Sequence, residues 1–499
     1  MSKKTIYFIL GRACFVISIA YIFPILYILI ETDEKNFLTI FFSMMMISFI
    51  IGMIFTYYGR KHKKRIKVNE SVISIFLIWI ILGILGEIPF IATKNLNVID
   101  ATLETISNLT AAGVSFLPEK SEYVLKFWQA VQMWTGSFVF LSLLVTILPE
   151  VSGCFGMELS LNQGQIFSSM IGQMRTMARK ILKIYIILTI ISVILFKMSG
   201  LNIWDSIIMA MRCISTGGGN YFAGRGNIYS EYAAIFTMLM ACGNFLLYFR
   251  LLNTILPPKS NFSLKILKKN IVTNLKIFFG NSEVEFLNFT IFFVMIFMTF
   301  TIFIENTKFD GNISFRMALF HIVSYISTTG INFIEVGKIP DYDKFLLYIL
   351  AAFGGCMGSV TGGLKIIRII ILFKLAKTET LKVIHPRMIT SIKVSGESVP
   401  MKIVGRVLSF FFLSLLTLFI FSVILSLSGQ NFSTSVAMTT ACLTNIGPLP
   451  GICETSDFLK LPGVMKILCC AILIIGRMEI FGFLMLIGLA RIDKKRRSW

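Results

Sequence analysis

Four short stretches carry residue types suited to holding a bare cation. They are Thr110-Ala111-Ala112-Gly113, Ile214-Ser215-Thr216-Gly217, Ser327-Thr328-Thr329-Gly330 and Thr444-Asn445-Ile446-Gly447. Each ends on a glycine and holds a Ser, Thr or Asn shortly before it. The glycines recur about 104, 113 and 117 residues apart. A cation stripped of water needs several oxygen ligands in place of its hydration shell, and the backbone carbonyls of re-entrant loops supply them. Glycine lets the chain take the unusual φ that turns a carbonyl toward a common axis. One Ser-Thr-Gly stretch is merely a turn. Four at matched positions predict a single pseudo-fourfold site. A short helix with a small or hydroxyl-bearing face leads into each motif, as at Asp100–Ser107. The negative end of its dipole favours a nearby cation by about 0.3–2 kcal/mol.

A second group of residues suits control of a path. Gly354, Gly355, Gly358, Gly362 and Gly363 lie in the middle of a long apolar stretch, with Ser359 and Thr361 among them. Each glycine costs about 1 kcal/mol against Ala in a helix, and the hydroxyls compete for backbone hydrogen bonds. The expectation is a break halfway across the membrane, tolerable only where it faces a cavity; the alternative use of such glycines is close helix packing. Arg477 sits between two apolar runs. An intramembrane Arg costs at least about 2.5 kcal/mol on insertion scales, so it needs a partner or a wet cavity. Glu479 is two residues on and points elsewhere on a helix. Arg477 is therefore expected to face the path near the Gly-rich stretch, with pairing to a carboxylate elsewhere as the alternative. Lys365 and Arg368 read as anchors at the cytoplasmic end of that span.

The elements that position these residues follow from hydropathy. The chain has 499 residues, 56% apolar and only 15% charged, with mean hydropathy +0.80. Soluble domains carry about 25% charged residues, so an ordinary soluble enzyme and a disordered chain are excluded. Spans of about 20 apolar residues fall near 6–30, 37–58, 71–92, 124–149, 181–199, 229–249, 286–304, 343–373, 405–428 and 464–489. Segments 99–110, 203–214, 312–327 and 432–443 are too short to cross and read as re-entrant helices. The fold class is an all-α integral membrane protein. Two N-terminal spans and a basic loop occupy 1–70, and four repeats of span, short helix, glycine motif and span occupy 71–179, 180–284, 285–404 and 405–499.

Net charge is +21, and the basic residues cluster between apolar segments. That is topogenic loop charge rather than a nucleic-acid surface. Roughly 30 Lys and Arg fall on the side of the N-terminus and roughly 9 on the other, which places both termini in the cytoplasm. All four short segments then open on the outer face. Segment 261–281 mixes basic and apolar residues at helical spacing, as for a helix at the lipid boundary or a docking face. Nine cysteines show no C-x-x-C pair, and His62, His321 and His385 lie far apart. No resident metal site is expected.

On these residues the chain resembles the Trk/Ktr/HKT superfamily of cation transporters, closest to its TrkH-type potassium uptake subunits. Gly354-Gly355-Cys356-Met357-Gly358-Ser359-Val360-Thr361-Gly362-Gly363-Leu364-Lys365-Ile366-Ile367-Arg368 is similar to the family's Gly-rich run in the second span of repeat three. Asn445-Ile446-Gly447-Pro448 resembles its fourth filter motif, and Gly476-Arg477-Met478-Glu479 its last-span signature. The resemblance implies M1–P–M2 units around one pore and a filter of backbone carbonyls. It also implies a Gly-rich loop that blocks the path beneath the filter, a homodimer, and a cytoplasmic nucleotide-binding regulator of the TrkA kind. The implied activity is potassium uptake across a bacterial inner membrane, with K+ as cargo and no bound cofactor. In plant-type relatives a Ser in the first motif accompanies sodium preference, so Gly113 implies potassium. Ala111 and Ala112 replace the family's usual hydroxyls, and Asn108 its usual Gly; carbonyl ligands survive such changes. The alternatives are a sodium-permeable relative and a secondary transporter of a small organic solute, which would instead show two pseudo-symmetric halves.

Overall fold

A computed structural model describes residues 3–31, 35–60, 68–118, 121–146, 174–219, 227–245, 247–248, 280–305, 310–332, 339–388, 391–449 and 451–478. Nearly all of segment 261–281, Glu479 and the basic tail lie outside these residues.

The N-terminal spans come first. Helix α1 (Lys3–Ala20) runs through Tyr21 into α2 (Ile22–Glu31), and α3 (Lys35–Tyr58) returns beside α1. The first repeat is α4 (Val68–Ala92), α5 (Val98–Leu109) and α6 (Tyr123–Thr146). The second is α7 (Met174–Met198), α8 (Ile203–Ser215) and α9 (Ile228–Cys242). The third is α10 (Ser282–Glu305), α11 (Gly311–Ile326) and a broken span, α12 (Asp341–Phe353) and α13 (Ile366–Ile384). A two-residue hairpin, β1 (Lys393–Val394) with β2 (Glu397–Ser398), precedes the fourth repeat. That repeat holds α14 (Met401–Ser426), α15 (Phe432–Thr444), the short α16 (Thr455–Leu459) and α17, helical over residues 463–478.

Among the described residues, six helical stretches are long and apolar enough to cross a membrane: α1 with α2, α3, and the first helix of every repeat. The four remaining spans expected from hydropathy are the second helices of the repeats. They are present as α6, α9, the α12–α13 pair and α17, and the third is interrupted by the Gly-rich stretch.

The short helices α5, α8, α11 and α15 have 12, 13, 16 and 13 residues. At about 1.5 Å per residue none reaches the roughly 30 Å of a hydrocarbon core. Each starts at a short polar N-cap: Asn97, Asn202, Asp310 and Asn431. The cap carbonyl accepts a bond from a small buried residue one turn on, Ala101, Ser206, Ser314 or Ser435, at 2.8–3.1 Å. These helices carry a dense share of buried polar side chains, including Thr105, Ser107, Asn108, Ser215, His321, Ser324, Thr439 and Thr440. The outer helices show the reverse, with Phe289, Phe293, Phe300, Phe412 and Phe419 exposed. Polar groups inside and large apolar groups outside is the arrangement a lipid solvent selects.

Candidate functional site: a ring of four turns and a loop beside it

Every short helix ends in the same way. One residue takes a left-handed conformation: Ala111 (φ 59°), Thr216 (56°), Thr328 (52°) and Asn445 (53°). The next residue donates its N–H to the carbonyl five positions back. These bonds are Ala112 to Ser107 at 2.8 Å, Gly217 to Arg212 at 2.9 Å, Thr329 to Ser324 at 2.9 Å and Ile446 to Ala441 at 3.1 Å. Left-handed φ costs an L-residue about 1–2 kcal/mol, and strain of this kind persists where surrounding structure over-determines it, often at functional sites.

This pattern corrects the register of the second motif. Residues 110–113, 327–330 and 444–447 correspond to 215–218, so Gly218 rather than Gly217 matches Gly113, Gly330 and Gly447. Ile214 drops out of the turn: it is a core side chain packed with Leu141, Tyr185, Phe245 and Val360. Three consecutive glycines, 217 to 219, made either alignment possible in sequence.

The four turns meet. A methyl carbon added to Gly218 would lie 2.6 Å from the Thr329 carbonyl oxygen, 3.1 Å from that of Ile446 and 3.3 Å from that of Ala112. One added to Gly113 would meet the backbone of Gly218, one on Gly330 the carbonyl of Ile446, and one on Gly447 the carbonyl of Ala112. The contacts run first turn to second, second to third, third to fourth and fourth to first, a closed ring. Gly113, Gly330 and Gly447 also have positive φ, at 75°, 67° and 83°. Gly218 does not, so crowding alone excludes a side chain there. Carbonyl oxygens thus gather at the centre, each at the C-terminal end of a short helix, where the backbone dipole adds further negative potential.

The hydroxyls serve the backbone. Thr110 Oγ1 donates to the Ile106 carbonyl at 2.7 Å and Thr444 Oγ1 to the Thr440 carbonyl at 2.8 Å, while the hydroxyls of Ser327 and Thr329 pair at 2.7 Å. Asn445 Nδ2 donates to the Leu473 carbonyl at 3.1 Å. The first turn, short of hydroxyls, is anchored otherwise: Ser107 Oγ accepts the Val114 N–H at 2.7 Å and Glu104 Oε2 the Phe116 N–H at 2.5 Å.

The Gly-rich stretch is an excursion from the α12–α13 span. It departs at Gly354 (φ 71°) and returns at Gly363 (φ 75°), where the two backbones touch so closely that a methyl on Gly363 would stand 2.9 Å from the Gly354 α-carbon. Bonds from Leu364 N–H to the Ala352 carbonyl (3.0 Å) and Lys365 N–H to that of Phe353 (2.9 Å) seal this neck. Inside the loop, Ser359 and Thr361 hydroxyls pair at 2.6 Å, and Thr361 Oγ1 accepts the Gly355 N–H at 3.1 Å. Just inside the neck its returning arm abuts the ring: Gly362 N–H donates to Thr328 Oγ1 at 2.9 Å, and the Gly362 α-carbon packs on the Thr444 carbonyl. Gly358 (φ 77°) turns the far side of the loop.

Arg477 is buried against this loop. Its Nη1 donates to the Val360 carbonyl at 2.9 Å and Nη2 to Ser137 Oγ at 3.0 Å, and Cζ lies 4.4 Å over the Phe140 ring. Among the described residues no carboxylate pairs with it. The span breaks at the Gly-rich stretch, and Arg477 contacts the loop there.

Residues 37–491 match the TrkH family, described as a cation transport protein. The chain belongs to the TrkH family of cation transport proteins. It is 27% identical over 500 residues to the Trk system potassium uptake protein TrkH of Escherichia coli K12, covering 97% of this chain and 98% of that protein. It is 28% identical over 495 residues to the protein of the same name in Halomonas elongata, covering 96% and 97%. Its fold is that of the crystal structure of the potassium transporter TrkH from Vibrio parahaemolyticus, with a TM-score of 0.84 at 24% identity over 97% of this chain and 98% of that one. This TrkH-family chain is therefore a multi-pass all-α membrane transporter and not an enzyme.

Two residues just past the loop are not the anchors their sequence position suggests. Lys365 is no anchor: it is buried, and its Nζ folds back to bond the Thr361 carbonyl, with Thr361 Oγ1 at 3.1 Å and Ser359 Oγ at 3.4 Å. Arg368 is buried too, its Cζ 4.0 Å over the Phe410 ring. Both looked like snorkelling charges because they follow the apolar run; the neck places them inside instead. Glu283, in the first turn of α10, is also buried. It accepts the Met357 N–H at 3.0 Å and the Asn244 amide at 3.2 Å, fixing the loop to two neighbouring elements. Glu283 and Glu285 stand together at a span boundary, and nothing in the sequence marked the first as the buried one.

Proposed function

We propose that this chain carries potassium inward across a bacterial cytoplasmic membrane, with both termini in the cytoplasm. Ions shed water at the ring formed by Thr110–Gly113, Ser215–Gly218, Ser327–Gly330 and Thr444–Gly447, and carbonyl oxygens replace their hydration shell. The observation that carries this reading is the closure of four matched turns around one centre. Potassium, rather than another monovalent cation, is supported by the names of the relatives and by glycine at all four ring positions. The membrane potential supplies about 2.3 kcal/mol per charge per 100 mV, about a 50-fold gradient at equilibrium, so transport needs no bond cleavage.

The loop of residues 354–363 and Arg477 form the gate. The returning arm of the loop touches the third and fourth turns, and a buried guanidinium beside the loop raises the barrier to a cation. Release of the gate comes from a cytoplasmic nucleotide-binding regulator of the TrkA kind acting on a homodimer, a reading supported by the Trk-system relatives. The test is rubidium uptake in cells lacking their own potassium uptake. Uptake that saturates and is outcompeted by potassium supports the reading; uptake equal to that of empty-vector cells, with the protein in the membrane, refutes it.

A further inference from the structure

One charged side chain touches the ring itself. The backbone bonds of the turns place Arg212 at the position held by Ser107, Ser324 and Ala441 in the other repeats. The two serines make short neutral bonds there: Ser107 Oγ accepts the Val114 N–H at 2.7 Å, and Ser324 Oγ donates to the Ile331 carbonyl at 2.8 Å. Arg212, only 3% exposed, reaches further. Its Nη1 donates to the Gly218 carbonyl at 2.8 Å and its Nη2 to Gln129 Oε1 at 2.9 Å. The Gln129 amide nitrogen donates in turn to Glu104 Oε1 at 2.6 Å and Ser115 Oγ at 2.8 Å, and Glu104 Oε2 holds the Phe116 N–H at 2.5 Å. A continuous path of hydrogen bonds therefore links the second turn to the residues just past the first. It begins on a guanidinium and ends on a buried carboxylate. The charge lies at the junction of the two turns: a methyl on Gly219 would sit 2.8 Å from Arg212 Nη1 and 3.4 Å from the Gly113 carbonyl oxygen.

Two consequences follow. A hydrogen bond from an ionised donor is roughly twice as strong as a neutral one, so the Gly218 carbonyl is committed to Arg212 and is a weak ligand for a passing ion. The bidentate guanidinium also fixes the spacing of the first and second turns, where the serines of the other repeats tie each turn only to its own helix. We propose that Arg212 is a specificity-determining residue of the cation path, which keeps this side of the ring rigid and so resists its contraction around a smaller ion. The proposal rests on the reading of the ring as a cation filter.

The test is rubidium uptake titrated with sodium, in cells lacking their own potassium uptake, with the amount of protein in the membrane measured for each variant. Arg212→Ala lowers the sodium concentration that halves rubidium uptake about tenfold, the size expected for one charged hydrogen bond. Gln129→Leu cuts the link without touching the ring and shifts sodium sensitivity in the same direction by less. Arg212→Lys keeps the charge and one donor and restores most of the wild-type value. Wild-type sodium sensitivity in Arg212→Ala and Gln129→Leu overturns the proposal. If Arg212→Ala does not reach the membrane, wild-type sensitivity in Gln129→Leu overturns it. A wild-type protein that moves no rubidium refutes the filter reading itself, which separates the two failures.

Discussion

Gly217 and Gly218 are neighbours with different neighbours of their own. A methyl on Gly217 would meet the side chain of Met133, with Sδ at 2.5 Å and Cγ at 3.0 Å, and a thioether on a flexible stem can move. A methyl on Gly218 would meet three backbone carbonyls that cannot. Gly218→Ala is therefore expected to reduce rubidium uptake at least about tenfold more than Gly217→Ala at equal membrane level; equal loss in both would refute the corrected register. Thr328→Val removes the acceptor of the Gly362 N–H and leaves that donor buried, which costs about 1–3 kcal/mol. It is expected to free the returning arm of the loop and raise rubidium flux measured without a regulator. At this scale the sequence was legible where a motif held a single glycine, and ambiguous where three stood in a row. Arg212 was not legible as a ring residue, because an Arg in a short polar helix reads equally well as an outer-surface charge.

At the scale of elements, the helix break was readable because glycine and hydroxyl residues oppose a helix whatever packs around them. The role of Lys365 was not, because it depends on how the neck folds the chain back. Its Nζ and the Thr361 carbonyl hold the loop in shape from within, while Arg477 holds it from outside. Arg477→Ala, or deletion within Gly355–Gly362, is expected to raise regulator-independent rubidium flux several-fold in proteoliposomes; wild-type flux in both would defeat the gate. Lys365→Met is expected to act in the same direction, since the loop loses its internal tie while the side-chain volume is kept. Flux unchanged in Lys365→Met together with raised flux in Arg477→Ala would assign the restraint to Arg477 alone. The four short helices were readable from length and polarity, because a segment too short to span and too polar for lipid must be covered by protein.

At the scale of the whole molecule, the repeat closes on itself. The outer helices are greasy outside, the short helices carry the polar groups inward, and the turns between them pool backbone oxygens that no single repeat could gather. Composition and periodicity gave the number of spans and the fourfold pattern; the order in which the turns touch required coordinates. The asymmetry of the ring also appears only at this scale: Arg212 strengthens one side, and the Gly-rich loop lies against the third and fourth turns. On the proposed function, carbonyls of all four turns surround one ion. The most direct measurement is anomalous diffraction from crystals of this chain grown in rubidium. A rubidium peak is expected on the common axis, flanked by the carbonyl oxygens of Ala112, Gly217, Thr329 and Ile446. Rubidium bound elsewhere in the protein, with none on that axis, would contradict it.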